Sequence, residues 1–113
     1  MSWTVEYTAT AWQDLQDLRN IYEYIAYNLL TPEIAAGQIQ RIMHKTGALD
    51  EMPMRHSLYA HEPWRSQGLR FLPVDNYIVF YLPRESINTV DIVRIMYGGR
   101  NIQKQLNETE IQY

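Results

Sequence analysis

LRFLPVDNYIVFYLPRESINTVDIVRIMYGGRN, residues Leu69 to Asn101, reads as three strands in succession and decides the fold. The β-branched and aromatic run Tyr77 to Leu82 suits a pleated, largely buried strand that ends at Pro83. Arg84 to Thr89 is a polar reversal, and Val90 to Tyr97 is the next strand. Upstream, Leu69 to Leu72 forms a shorter strand, and Pro73-Val74-Asp75-Asn76 signals the turn. The C-terminal half is therefore an antiparallel meander.

Outward from this stretch, the N-terminal half is helical. Trp3, Val5 and Tyr7 alternate with polar residues, so Trp3 to Tyr7 is a first strand. Thr8 or Thr10 caps a helix, and the Thr10–Gln13 pair has capping-box spacing. Ala11, Leu15, Leu18, Tyr22, Ile25 and Leu29 keep a helical period to about Asn28. Thr31-Pro32-Glu33 starts a second helix with a hydroxyl cap, a proline needing no N–H donor and an acid at the positive dipole end. Ile34, Ala35, Ile39, Ile42, Met43 and Leu49 supply its apolar face, and Met52-Pro53 forces an end near Glu51. So short a link between the helices makes them an antiparallel hairpin.

The expected fold is α+β in the order β-α-α-β-β-β. It is a four-stranded, mostly antiparallel sheet with the helical hairpin on one face. Residues 1–106 form a single domain, and 107–113 are a polar, fraying tail. Met54 to Gln67 has no period and reads as a loop. Ile78, Phe80 and Leu82 point opposite to Tyr77, Val79 and Tyr81, while Val90, Ile92 and Met96 oppose Val93, Ile95 and Tyr97. A half-solvated sheet would alternate apolar and polar residues, but here both faces are apolar. The expectation is that a partner segment covers the second face.

Composition excludes several functions. The chain has 113 residues, no cysteine and 20% charged residues. Disulfides, thiol catalysis and cysteine-based metal sites are ruled out. No apolar run approaches a membrane span and the N-terminus begins no signal peptide, so a cytoplasmic protein is expected. The net charge of −3 is unevenly spread. Residues 1–40 hold one basic and five acidic residues, whereas 41–104 hold nine basic and six acidic ones. Such a mildly basic half suits a polyanion, an acidic partner or a solvated surface; dedicated nucleic-acid binders are far more basic.

With the element order in place, the chain resembles the RelE/ParE superfamily of bacterial type II toxin–antitoxin toxins. Tyr7-Thr8-x-x-Ala11-x-x-Asp14-Leu15 opens the first helix, and Tyr24-Ile25 lies further along it. Thr31-Pro32-x-x-Ala35 and Leu49-x-x-x-Pro53 bound the second. Leu69-Arg70, Tyr77-x-x-x-Tyr81 and Ile95-Met96-Tyr97-Gly98-Gly99-Arg100-Asn101 close the set. The resemblance implies a toxin neutralised by a cognate antitoxin in a toxin–antitoxin hetero-oligomer, with DNA gyrase or the ribosome and its mRNA as target. ParE-like members bind and inhibit; RelE-like members cleave ribosome-bound mRNA. Ile78 stands where nuclease members carry arginine and Leu106 where they carry tyrosine, while Tyr97 and Asn101 replace a common His and Asp. These departures favour the ParE-like branch. The alternatives are a ribosome-dependent endoribonuclease and a non-toxic binding module of the same fold.

The candidate residues follow. Arg70, Tyr97 and Arg100 are the catalytic set only if the chain is a nuclease. Attack by a ribose 2′-OH needs a general base, an acid and cations, and no strong base stands among them. Contacts to target or antitoxin are assigned to Trp64, Arg65, Arg70, Tyr77, Tyr81, Arg94, Tyr97 and Arg100. Arg70 either reaches a target or braces the sheet through Asp75 or Asp91. Arg94, in line with Val90, Ile92 and Met96, either snorkels or meets an acidic antitoxin tail. Trp64-Arg65 sits where a loop could grip a partner. His44, His56 and His61 lack a convincing ligand set, so no metal or cofactor is expected.

Overall fold

The computed structural model describes residues 2–29, 32–98 and 101–109. Strand β1 (Thr4–Tyr7) leads to helix α1 (Ala9–Leu29) and helix α2 (Pro32–Gly47). Two 3₁₀ turns, Ala48–Asp50 and Pro53–Arg55, and a short helix α3 (Trp64–Gln67) precede the sheet. Strands β2 (Arg70–Val74), β3 (Tyr77–Arg84) and β4 (Thr89–Tyr97) and helix α4 (Ile102–Asn107) complete the chain.

Thr8, rather than Thr10, caps α1: its Oγ1 accepts the Ala11 N–H at 3.2 Å. The Gln13 side chain, expected to close a capping box, instead donates to Asp17 at 2.9 Å. The expected cap Thr31 lies outside the described residues. Helix α2 ends at Gly47, and its last turn tightens into the 3₁₀ turn that buries Leu49.

The sheet order is β1-β4-β3-β2, with β2–β3 and β3–β4 antiparallel. β1 pairs parallel to β4, aligning Val5 with Val90, so the sheet is mixed. The helical hairpin opens the long crossover that a parallel pairing demands. β3 runs through Pro83 to Arg84 instead of stopping before it. β2 pairs only with Tyr77 to Tyr81, so Pro83 has no strand on that side to need its missing N–H.

Opposite faces of β3 are buried as the alternation demands. Val79 and Tyr81 join Ala11, Leu15, Leu18, Ile42 and Leu49 beneath the helices. Met43, expected on that face, is half exposed. In β4 the alternation breaks. Phe80 lies opposite Arg94 but Tyr81 opposite Ile92, leaving Val93 as a bulge residue. The bulge reverses the phase, so Val90, Ile92 and Ile95 share the helical face while Val93 and Met96 share the other.

That second face is not open. Trp64, Leu69 and Leu106 pack with Phe80, Leu82, Val93 and Met96, all nearly solvent-free. The segment read as a plain loop and the short C-terminal helix provide the cover, so the expectation of a partner segment there is overturned. Two residues at the start of the expected tail make side-chain hydrogen bonds. Asn107 accepts the Trp64 Nε1 hydrogen bond at 3.0 Å, and Thr109 Oγ1 donates to the Gln105 carbonyl at 2.7 Å. No described helix is long and apolar enough to cross a membrane.

Candidate functional site

β1 stops at Tyr7, so the flank of β4 beyond Ile92 is left without a strand. The start of α1 takes over. The Thr8 N–H donates to the Ile92 carbonyl at 3.0 Å, and Thr8 Oγ1 donates to the Val93 carbonyl at 3.2 Å. Asp14 Oδ2 accepts the Ile95 N–H at 2.9 Å. The Asp14 carboxylate is also gripped by Arg94, Nε to Oδ2 at 2.7 Å and Nη2 to Oδ1 at 2.9 Å. Arg94 Nη1 donates to Thr109 Oγ1 at 3.0 Å. Each donor nitrogen of Arg94 is thus held within the chain, so its head does not simply snorkel to solvent.

Beyond this clamp lies an open groove of about 200 Å³ between α1 and β4, lined by Asp17, Leu18, Ile21, Tyr77, Ile95 and Tyr97. Tyr77 and Tyr97 face each other edge to face, ring centres 5.7 Å apart. Tyr97 is 52% exposed and Ile21 54%, so the groove presents apolar surface beside two carboxylates. Ile21, missed in the sequence reading, is off the buried stripe and carries no signal except its place on the helix. Arg100, the cation expected next to Tyr97, lies outside the described residues.

Arg70 is elsewhere. It pairs with Tyr81 across β2–β3, whereas Tyr97 pairs with Tyr77. Tyr77 and Tyr81 are four residues apart on one strand, which separates Arg70 from Tyr97 by about 13 Å along the sheet. Arg70 Nη1 donates to the His56 carbonyl at 2.5 Å. The carboxylates once considered for it are taken: Arg41 Nε lies 2.7 Å from Asp75, and Arg84 Nε lies 2.6 Å from Asp91.

Two further candidates are core residues. Tyr81 is fully buried, donates its hydroxyl to the Pro53 carbonyl at 2.7 Å, and has its pKa pushed up to about 12 by burial. Trp64 is buried under the sheet and tied to Asn107, while Arg65 beside it is exposed. The structure thus brings together Tyr77, Tyr97 and the Asp14–Arg94 clamp, and disperses Trp64, Arg65, Arg70 and Tyr81. Among the described residues no group of three or more His, Asp or Glu side chains could hold a metal ion.

Residues 5–102 match the family described as ParE toxin of type II toxin–antitoxin system, parDE. No curated protein sequence matches the chain. Among solved structures, the chain is similar to one titled chromosomal ParDE TA system from P. aeruginosa, with TM-score 0.63 and 20% identity. That alignment covers 85% of this chain and 96% of the other. It is also similar to the RelBE2 toxin–antitoxin complex from Mycobacterium tuberculosis, with TM-score 0.58 and 23% identity over 86% and 92% of the two chains. At these identities the structural likeness speaks for the fold.

Proposed function

The chain belongs to the ParE toxin family of type II toxin–antitoxin systems, and from that premise we propose that it arrests growth by binding a macromolecular target, DNA gyrase being the expected one, until a cognate antitoxin sequesters it. The observation that carries binding over cleavage is the separation of Arg70 from Tyr97 by about 13 Å of strand. Phosphodiester cleavage needs acid, base and cation around one phosphate, within about 3 Å of the reacting atoms. Two members of the set that a nuclease would use sit on different parts of the sheet. Around Tyr97 the ring of Tyr77, the exposed Ile21 and a carboxylate already held by Arg94 form a surface suited to contact.

The test is tightly controlled expression with plasmid supercoiling and mRNA integrity followed together. Changed supercoiling with intact mRNA is the expected result. Early mRNA cleavage at ribosome-bound codons with normal supercoiling would overturn the binding reading in favour of a nuclease.

A further inference from the structure

The turn between β2 and β3 is held from two sides. Asp75 and Asn76 form it, closed by the Val74–Tyr77 pair. Asp75 takes a left-handed backbone, φ 55°, which glycine adopts at lower cost. What the aspartate adds is its carboxylate. Its Oδ2 accepts hydrogen bonds from Gln38 Nε2 at 3.0 Å and from Arg41 Nε at 2.7 Å, both on α2. Gln38 is 8% exposed, so a nearly buried amide is committed to a surface turn.

On the other side, the Gly98 N–H donates to the Asn76 carbonyl at 2.8 Å. A Cβ at Gly98 would stand 3.3 Å from that oxygen and 3.5 Å from Ile78 Cδ1, so glycine is what lets the two segments seat this closely. Gly98 directly follows Tyr97 and Asn76 directly precedes Tyr77, so this one hydrogen bond joins the chain beside both rings of the groove. A continuous path of contacts runs from α2 through Asp75, Asn76 and Gly98 to Tyr97.

The sheet itself has little need of the clamp. Five residue pairs, from Arg70–Tyr81 to Val74–Tyr77, set the β2–β3 register, and neither core includes Asp75. The Arg41 and Asp75 side chains are 55% and 43% exposed, and an ion pair so exposed adds little to stability. Tyr97 has more at stake. It is the half-exposed last residue of β4, and the Gly98 bond fixes the chain just where it leaves the sheet.

We propose that Asp75 is a positioning residue for the Tyr77–Tyr97 groove: by tying the β2–β3 turn to α2 it sets, through Asn76 and Gly98, where Tyr97 stands. The proposal rests on the reading of that groove as the surface that meets the target. Asp75 acts through Tyr97 and need not touch the target itself.

The test compares the full chain with D75G, D75N, Y97A and D75G/Y97A, at matched soluble protein levels. D75G keeps the left-handed turn and removes the carboxylate, whereas D75N keeps an oxygen that accepts from α2. D75G is expected to retain its urea midpoint, to shift the ¹⁵N–¹H signals of Asn76, Tyr97 and Gly98, and to weaken growth arrest about fivefold. D75N is expected to restore both signals and arrest. With Tyr97 already removed, D75G is expected to add no further loss, since the residue it positions is gone. Unshifted Tyr97 and Gly98 signals, full arrest by D75G, or an equal loss with and without Tyr97 would overturn the proposal alone. A fall in the urea midpoint large enough to explain the lost arrest would overturn it in favour of a purely structural clamp. Full arrest by Y97A would overturn the reading of the groove, and the proposal with it.

Discussion

Asp14 and Arg94, 80 residues apart in sequence, are joined by two parallel hydrogen bonds of 2.7 and 2.9 Å at the open flank of β4. The same carboxylate accepts the Ile95 N–H, so one side chain does the work of the missing β1 residues. With side chains only 17% and 13% exposed, the pair is largely shielded from water. Removing either partner leaves the other charge poorly solvated, at a cost of about 3 kcal/mol. Asp14→Ala is expected to cost more than Arg94→Ala, since it also orphans the Ile95 N–H. Urea denaturation of the two variants and their double mutant should show strong coupling; additive effects would contradict the clamp.

The second apolar face gives a different expectation. Leu106 is fully buried and Trp64 nearly so, and both close the core over Phe80 and Val93. Leu106→Ala should cost about 2–5 kcal/mol and Trp64→Ala about 3–5 kcal/mol, read as a lower urea midpoint. Loss of activity in Trp64→Ala is thus expected to follow unfolding. An active-site role would instead leave stability intact.

Much of this was legible in the residues. Alternation placed Val79 and Tyr81 on one face of β3 and Phe80 and Leu82 on the other, as the two cores confirm. The helix start at Thr8 carries its own capping chemistry, and a proline opens the second helix as its first residue. What failed needed long-range geometry. Nothing local marks the Val93 bulge, which inverts the facing of Arg94 and Ile95. Ile102 and Leu106 have the i, i+4 spacing of a helical face, but only the position of the sheet shows that they cover it. Tyr81 lies in a strand that reads as largely buried, but nothing local shows that its hydroxyl is taken by the Pro53 carbonyl.

That hydroxyl sets the alkaline limit. Burial raises the Tyr81 pKa to about 12, against about 10 in the unfolded chain. Below about pH 10 both states hold the proton and stability is unaffected. Between about pH 10 and 12 only the folded state holds it, so stability falls as pH rises, by at most about 3 kcal/mol. Tyr81→Phe should lose about 1–2 kcal/mol at neutral pH, by stranding the Pro53 carbonyl, and flatten the alkaline slope. Denaturant midpoints measured across this range check both.

On the acid side His56 acts in the opposite sense. Burial, then Arg55, then Lys45, lowers its pKa below the ordinary value near 6.5. The unfolded chain therefore takes up a proton first as pH falls. Stability present above about pH 6.5 is lost as pH drops through the folded-state value. Lys45→Gln should move the His56 titration upward in a ¹H–¹³C NMR experiment. An unmoved titration would show that the Lys45 charge does not reach the imidazole.

The last expectation separates contact from chemistry at Tyr97. Its ring is packed edge-on against Tyr77 at the mouth of the groove and is half exposed. If the groove works as a binding surface, the ring is what the target meets. Tyr97→Phe keeps the ring and the Tyr77 contact, so growth arrest on controlled expression should persist. Tyr97→Ala removes the ring, and with it an aromatic contact worth about 1 kcal/mol or more, so arrest should weaken while the fold, lacking little buried surface, holds. A nuclease using the Tyr97 hydroxyl gives the reverse ordering: Tyr97→Phe alone would abolish arrest, because general acid–base catalysis contributes about 10²–10⁴-fold and resides in the lost oxygen. Comparing the two variants at matched soluble protein levels therefore distinguishes the readings directly.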